Sequence, residues 1–389
     1  MRIRILIGLV FLLVVPATIF LVRLEKAREV KVGGKTVVAW ALELDGPGNT
    51  SAAENVFRQV SPKAVANLIE VLERRDSLLK KPLQSIAPHL PTALRVGLFR
   101  TVSPQEAERF RLAAVAALAI MGPKATSAVP VLGKALRDTS SGVSMRAAMA
   151  LGRIGPPAVP ELTKALKDNH DQTRQSAIYG LSLAGADAHT AVPSLIEALQ
   201  EPNPEIRDRA FDALSQIRHP STVTALSRKL RHSSAGVRVL AARCLASMGP
   251  WAREAIPFLI EASGDTDSDV RQSAVEALGK IRPNSETVIA ALSKALSDPR
   301  PHVRAKAAEA LGAGGSAAAS AVPALIERLK DEDRKIRATA AESLGAIGGP
   351  AAAALAALSQ VAQDPDPDVS AKARDAIGQI NKDLAQSRR

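Results

Sequence analysis

The sequence predicts an all-α fold: a right-handed α-α superhelix, a solenoid of about nine to ten two-helix repeats, preceded by an N-terminal apolar helix. Three observations lead there. A ten-residue pattern returns at nearly constant spacing along most of the chain. Within each copy the apolar residues keep helical spacing. The chain is rich in alanine with only 3% aromatic residues, which suits closely packed helices better than one large globular core.

Met1 to Arg4 are followed by Ile5 to Val22, a run with no charge in which Thr18 is the one clearly polar side chain, and then by Arg23. That run is long enough to cross a bilayer core. It is taken as an uncleaved membrane anchor, because Ile19 to Val22 continue past Val15-Pro16-Ala17, the weak exit site that a cleaved signal peptide would use. The cleaved signal is the competing reading. No Cys stands directly after the run, which excludes lipoprotein attachment.

Charge counting around the span would hold the rest of the chain in the cytoplasm, whereas the short basic start before an export-like segment argues for the reverse. The expectation is a single-pass protein of the cell membrane with its repeats outside the cytoplasm, or an exported, periplasmic one if the segment is removed. The organisation follows as anchor or signal 1–24, juxtamembrane leader 25–50, divergent capping repeat with an insertion 51–103, repeat array 104–385 and tail 386–389.

The formal net charge of +12 invites a nucleic-acid partner. Residues 1 to 100 hold 15 Lys and Arg against 8 Asp and Glu, so +7 of the excess sits in the first quarter and +5 in the remainder. The basic bias is membrane-proximal, where it can face anionic lipid.

The recurring pattern is V-R-x-x-A-x-x-A-L-G. With its Arg as position zero, the register falls at Arg111, Ser144, Arg174, Arg207, Arg238, Arg271, Arg304, Arg337 and Ser370. Apolar residues at −1, +3, +7 and +10, as in Val270, Ala274, Leu278 and Ile281, mark one helical face. Helix-start residues stand at −4 (Ser140, Asn203, Ser234, Asp267, Asp333, Asp366), and Pro204, Pro301 and Pro367 at −3. Glycine at +11 (Gly122, Gly155, Gly185, Gly249, Gly315, Gly348) is the stop. A V-P-x-L-x-x-x-L stretch, as in Val129 to Leu136, then supplies the first helix of the next unit.

From the Ser144 unit onward an acid closes each unit at −6 (Asp138, Asp168, Glu201, Asp265, Asp298, Asp331, Asp364), with His232 the exception. Asp168 with Arg174, Asp265 with Arg271, Asp298 with Arg304 and Asp331 with Arg337 could be mistaken for catalytic pairs. Their recurrence at one register marks a structural ladder, closed across the turn or between stacked units.

These features resemble HEAT repeats, particularly the short variety of the phycobilisome-lyase families, with a proline in the first helix, an Asp in the turn and a Val-Arg opening of the second helix. Pro130, Pro160, Pro193, Pro257 and Pro323 match; Thr224, Ala290 and Ala356 depart. The likeness covers about Pro104 onward. Ala52 to Val60 and Lys63 to Arg74 form an earlier divergent unit, and Gly34 to Trp40 with the basic Arg74 to Lys81 insertion looks like the leader of membrane-anchored or exported bacterial members.

Stacked units build a long surface rather than a pocket, which suits a protein or peptide partner. The resemblance implies that the second helices line the concave side. Solvent-directed positions +1, +2, +5 and +9 include Arg146, Arg153, Tyr179, Arg209 and Arg243, with an acidic row at Glu276, Glu309 and Glu342. Lys306 with Glu309, Arg209 with Asp212 and Lys372 with Asp375 are spaced to pair. A partner carrying both signs of charge is expected there.

Nothing marks an enzyme or a cofactor site. The six histidines (His89, His170, His189, His219, His232, His302) are scattered and none precedes Glu, unlike the di-iron HEAT hydroxylases. No phosphate loop, nucleophile elbow or His-Glu-x-x-His helix occurs, and no metal or small-molecule substrate is implied. Cys244 replaces the Ala of other units and is expected to fill core. The alternatives are a lyase- or chaperone-like protein acting on a cofactor-bearing partner, and a nucleic-acid-binding solenoid. Too few aromatics for base stacking disfavour nucleic acid.

Overall fold

The computed structural model describes residues 30–44, 50–73, 104–281 and 284–387. The apolar run 5–22, most of the leader's first residues and the insertion 75–103 lie outside them. The chain divides into two compact units, Met1–Ala191 and Val192–Arg389.

The first unit begins with a short hairpin, β1 (Lys31–Val32) antiparallel to β2 (Lys35–Thr36), which an all-α expectation did not contain. Gly33 and Gly34 turn it with φ of 57° and 80°, the two left-handed positions of a two-residue hairpin loop. Thr36 then caps α1 (Val37–Glu43), and Trp40 Nε1 donates back to Val32 O at 2.9 Å. Helices α2 (Thr50–Gln59) and α3 (Ala64–Glu73) follow, and all three pack on α4 (Pro104–Met121). Val37, Phe57 and Leu68 are fully buried there, so the divergent N-terminal repeat contributes core.

From α4 the first unit alternates short first helices and longer second helices: α5 (Val129–Ala135), α6 (Ser141–Ile154), α7 (Val159–Ala165) and α8 (Asp171–Ala184). The second unit continues with α9 (Val192–Ala198), α10 (Pro204–Gln216), α11 (Pro220–Lys229), α12 (Ala235–Met248), α13 (Ile256–Ala262) and α14 (Ser268–Ile281). It closes with α15 (Glu286–Ala295), α16 (Pro301–Ala313), α17 (Val322–Arg328), α18 (Arg334–Ile347), α19 (Leu355–Val361) and α20 (Pro367–Ser387).

The start and stop chemistry accounts for these boundaries. Asn203 and Asp333 accept the N–H of the second residue after them at 2.9 and 2.8 Å, and Asp267 accepts from Asp269 and Val270. Ser234 holds the cap position without such a bond from its side chain. All six recurrent glycines have φ between 54° and 85°, a conformation an L side chain rarely adopts. After the stop, most units insert a 3-10 turn, such as Gly249–Ala255, before the first helix proper. The sequence pattern carries no direct sign of that turn beyond its Gly-Pro pairs.

Neighbouring second helices approach closely at the final glycine of the pattern. A methyl on Gly279 would lie 2.6 Å from Ala310 Cβ, and one on Gly345 would lie 2.9 Å from Ala376 Cα. On α20, Gly378 has nothing within 4 Å. Among the described residues one stretch, Ala107–Ala135, is long and apolar enough to cross a membrane, and more than half of its most apolar part is buried among the helices of the first unit.

Candidate functional site

Two sets of charged residues stand out, one at the turns and one on the second helices. At the turns, Arg238, Arg271, Arg304 and Arg337 each present Nε and Nη2 to both oxygens of an Asp: Asp265, Asp298, Asp331 and Asp364. The distances run from 2.6 Å (Arg271 Nε to Asp298) to 3.1 Å (Arg337 Nη2 to Asp364). In the first unit Arg111 pairs with Asp138 less completely: Nη2 donates to Oδ1 at 3.2 Å, while Nε lies 2.8 Å from Oδ2 without the alignment of a hydrogen bond. The carboxylate belongs to the following repeat, twenty-seven residues on, so the ladder closes between repeats.

The acid of an arginine's own repeat contributes its backbone instead. Arg271 Nη1 donates to Asp265 O at 3.0 Å and Arg304 Nη1 to Asp298 O at 3.0 Å. Each acid also closes its own turn: Asp298 Oδ1 accepts the Arg300 N–H at 2.9 Å, and Asp331 Oδ1 that of Asp333 at 3.1 Å. Burial would raise the Asp265, Asp298 and Asp331 carboxyls, but the facing guanidinium and the turn N–H outweigh it and hold all three below their ordinary value. Rigid, bidentate, mostly buried pairs of this kind order a scaffold and leave no group free for chemistry.

Where the pattern lapses, the structure substitutes. Ser144 stands in place of an Arg and hydrogen-bonds Leu136 O and Ser176 Oγ, at 2.8 and 2.9 Å. Asp168 is then held by Arg137 and by the His170 backbone and ring. Burial opposes its ionisation, yet the His170 and Arg137 contacts bring its carboxyl down to about 2. Arg174 donates to Asp168 O at 2.6 Å and pairs with Asp171. Ser370 bonds Pro367 O at 3.1 Å.

On the second helices Arg153, Arg243, Glu309 and Glu342 are exposed, and Arg146, Tyr179, Arg209 and Glu276 half-buried. Three expected alignments differ. Arg209 pairs with Glu205 at 2.9 Å, one turn back towards the helix start, rather than with Asp212. Lys372 reaches the preceding second helix and meets Glu342 at 2.8 Å, rather than pairing with Asp375. In the Arg174 repeat the +1 and +2 positions, Gln175 and Ser176, are buried, because Ser176 turns inward to Ser144. The pair Lys306 and Glu309 forms at 2.8 Å.

The result in the second unit is a row of alternating sign on α12, α14, α16, α18 and α20: Arg243, Glu276 with Lys280 at 2.6 Å, Lys306 with Glu309, and Glu342 with Lys372. The Arg243 guanidinium also lies 5.4 Å from the Phe211 ring centre. Cys244 beside it is fully buried and its thiol is pushed up to about 12, as an inert core residue. Among the described residues no cluster of His, Cys, Asp and Glu is arranged to hold a metal ion.

A family profile described as HEAT repeats matches residues 102–182, 223–312 and 289–378, well over half of the chain. The chain belongs to the HEAT-repeat family. Among solved structures, a crystal structure of a Kap121p mutant is similar at 16% identity with a TM-score of 0.54, over 89% of this chain and 45% of that one. Importin beta, crystallised in an ammonium sulfate condition, is similar at 15% identity and TM-score 0.47, over 90% and 56%. An engineered protein is similar at 23% and 0.40, over 89% and 98%. The likeness to Kap121p is one of fold, that of a HEAT solenoid. No curated protein sequence matches the chain.

Proposed function

We propose that this HEAT protein is a membrane-tethered scaffold that binds a protein or peptide partner along the face of its second helices, without catalysis. The observation that carries the reading is the division of labour between the two charge sets. Arg238, Arg271, Arg304 and Arg337 are spent on turn aspartates inside the stack, whereas Glu276, Glu309 and Glu342 leave 32%, 64% and 59% of their side chains open to solvent. A surface of alternating sign recognises a partner of complementary pattern more readily than a uniformly charged polymer. Tethering rests on the apolar run 5–22, and placement of the repeats outside the cytoplasm on the export-like start of the chain. The first-turn prolines Pro130, Pro160, Pro257 and Pro323 support assignment to the short, phycobilisome-lyase-type variety of repeat.

The test is proximity labelling in the native host with the label fused after Arg389, comparing wild type with the triple variant Glu276→Lys, Glu309→Lys and Glu342→Lys. A specific set of neighbours lost in the variant is expected. An unchanged set would remove the reading.

A further inference from the structure

We infer that Arg207 is a carboxylate-binding site, shaped to take an Asp or Glu side chain from an acidic peptide segment of a partner. Four other arginines of the second unit show what this register does: Nη1 is fixed by two backbone carbonyls of its own turn, and Nε and Nη2 grip an Asp of the next repeat. Arg207 has the first half of that arrangement. Its Nη1 donates to Glu201 O and Pro202 O, each at 2.8 Å, so the guanidinium is oriented as in its counterparts.

The second half is missing because the acid's position in the next repeat is His232. The equivalence is structural as well as sequential. His232 O accepts Arg238 Nη1 at 2.9 Å as Asp265 O accepts Arg271 Nη1, and His232 Nδ1 accepts the Ser234 N–H at 3.1 Å as Asp265 Oδ1 accepts that of Asp267. The imidazole therefore closes the turn but brings no negative charge, and among the described residues the Nε and Nη2 edge of Arg207 meets no hydrogen-bond acceptor, its bonds being those of Nη1.

The hairpin around this rung also departs from the others. This hairpin lacks the glycine stop and the 3-10 turn, and its register step from Arg207 to Arg238 is 31 residues instead of 33. Helices α10 and α12 pack less closely than the other adjacent second helices of the unit. A half-buried guanidinium fixed on one side and open on the other binds a carboxylate in bidentate fashion with little ordering cost.

That the carboxylate comes from a peptide rests on the scaffold reading; the incomplete rung itself does not. The experiment uses the full-length chain, thermal unfolding, and a fluorescein-labelled hexaglutamate peptide at low ionic strength. His232→Asp supplies the missing acid, so it should raise the thermal midpoint by about 2–4 °C and weaken peptide binding about tenfold. Arg207→Gln should weaken binding to a similar extent, while His232→Asn, which keeps an acceptor for Ser234 without charge, should leave it intact. Equal binding by wild type and Arg207→Gln, or an unchanged midpoint in His232→Asp, would overturn the inference. The triple reversal on α14, α16 and α18 touches none of these residues, so the two readings can fail separately.

Discussion

The guanidinium of Arg304 and the carboxylate of Asp331 meet edge to edge, Nε to Oδ2 and Nη2 to Oδ1, both at 2.9 Å. Their side chains are 8% and 2% exposed, and Asp331 also receives Arg328 at 3.2 Å and the Asp333 N–H at 3.1 Å. One carboxylate thus joins two repeats, closes a turn and fixes a neighbouring arginine.

Removing it strands a buried cation. Asp331→Ala should cost the second unit about 3 kcal/mol, read as a lower midpoint in urea unfolding. Glu261→Gln breaks the exposed Arg231 pair and should leave the midpoint unchanged. Equal effects would contradict the burial argument.

The depressed carboxylates set the response to acid. Groups held below their ordinary 3.8 in the folded state lend stability that is complete above that value and is lost as pH falls through the folded value. Asp168, at about 2, protonates last. Thermal midpoints should therefore hold from neutral pH down to about 5 and fall steeply below about 4.

The approach of second helices gives a contrast within one sequence pattern. Gly345→Ala would press on Ala376 Cα, an overpacking cost of about 1–3 kcal/mol against a helix gain of roughly 1. Gly378→Ala meets open space and keeps only the gain. Unfolding midpoints should move in opposite directions.

Cys244 should resist iodoacetamide in the folded chain at pH 8 and react once the second unit unfolds, since burial keeps its thiol protonated far above that pH. Labelling in the native state at the rate of a free thiol would contradict its place in the core.

Much of this architecture was legible in the sequence because the repeat makes every unit evidence for the others. Val270, Arg271 and Leu278 have counterparts at one register, and the helix boundaries, glycine stops and two-helix grain follow from them. What stayed hidden depends on contacts that a single register does not encode. The ladder could have closed within a turn or between repeats, and only geometry places Asp298 against Arg271. Lys372 and Arg137 reach partners a full repeat away, because long side chains choose among several acids of similar distance. The Gly33-Gly34 turn was a readable hairpin sign overshadowed by the helical composition around it.

The uniform twenty-seven-residue reach from Arg238, Arg271, Arg304 and Arg337 to their acids implies that this polypeptide can be edited in whole periods. Excising 272–304 would place Arg271 at that same separation from Asp331, with like neighbours on either side, whereas a cut a few residues longer or shorter would misalign every coupling it crossed. Length in the second unit is therefore adjustable in quanta, without redesigning any single joint.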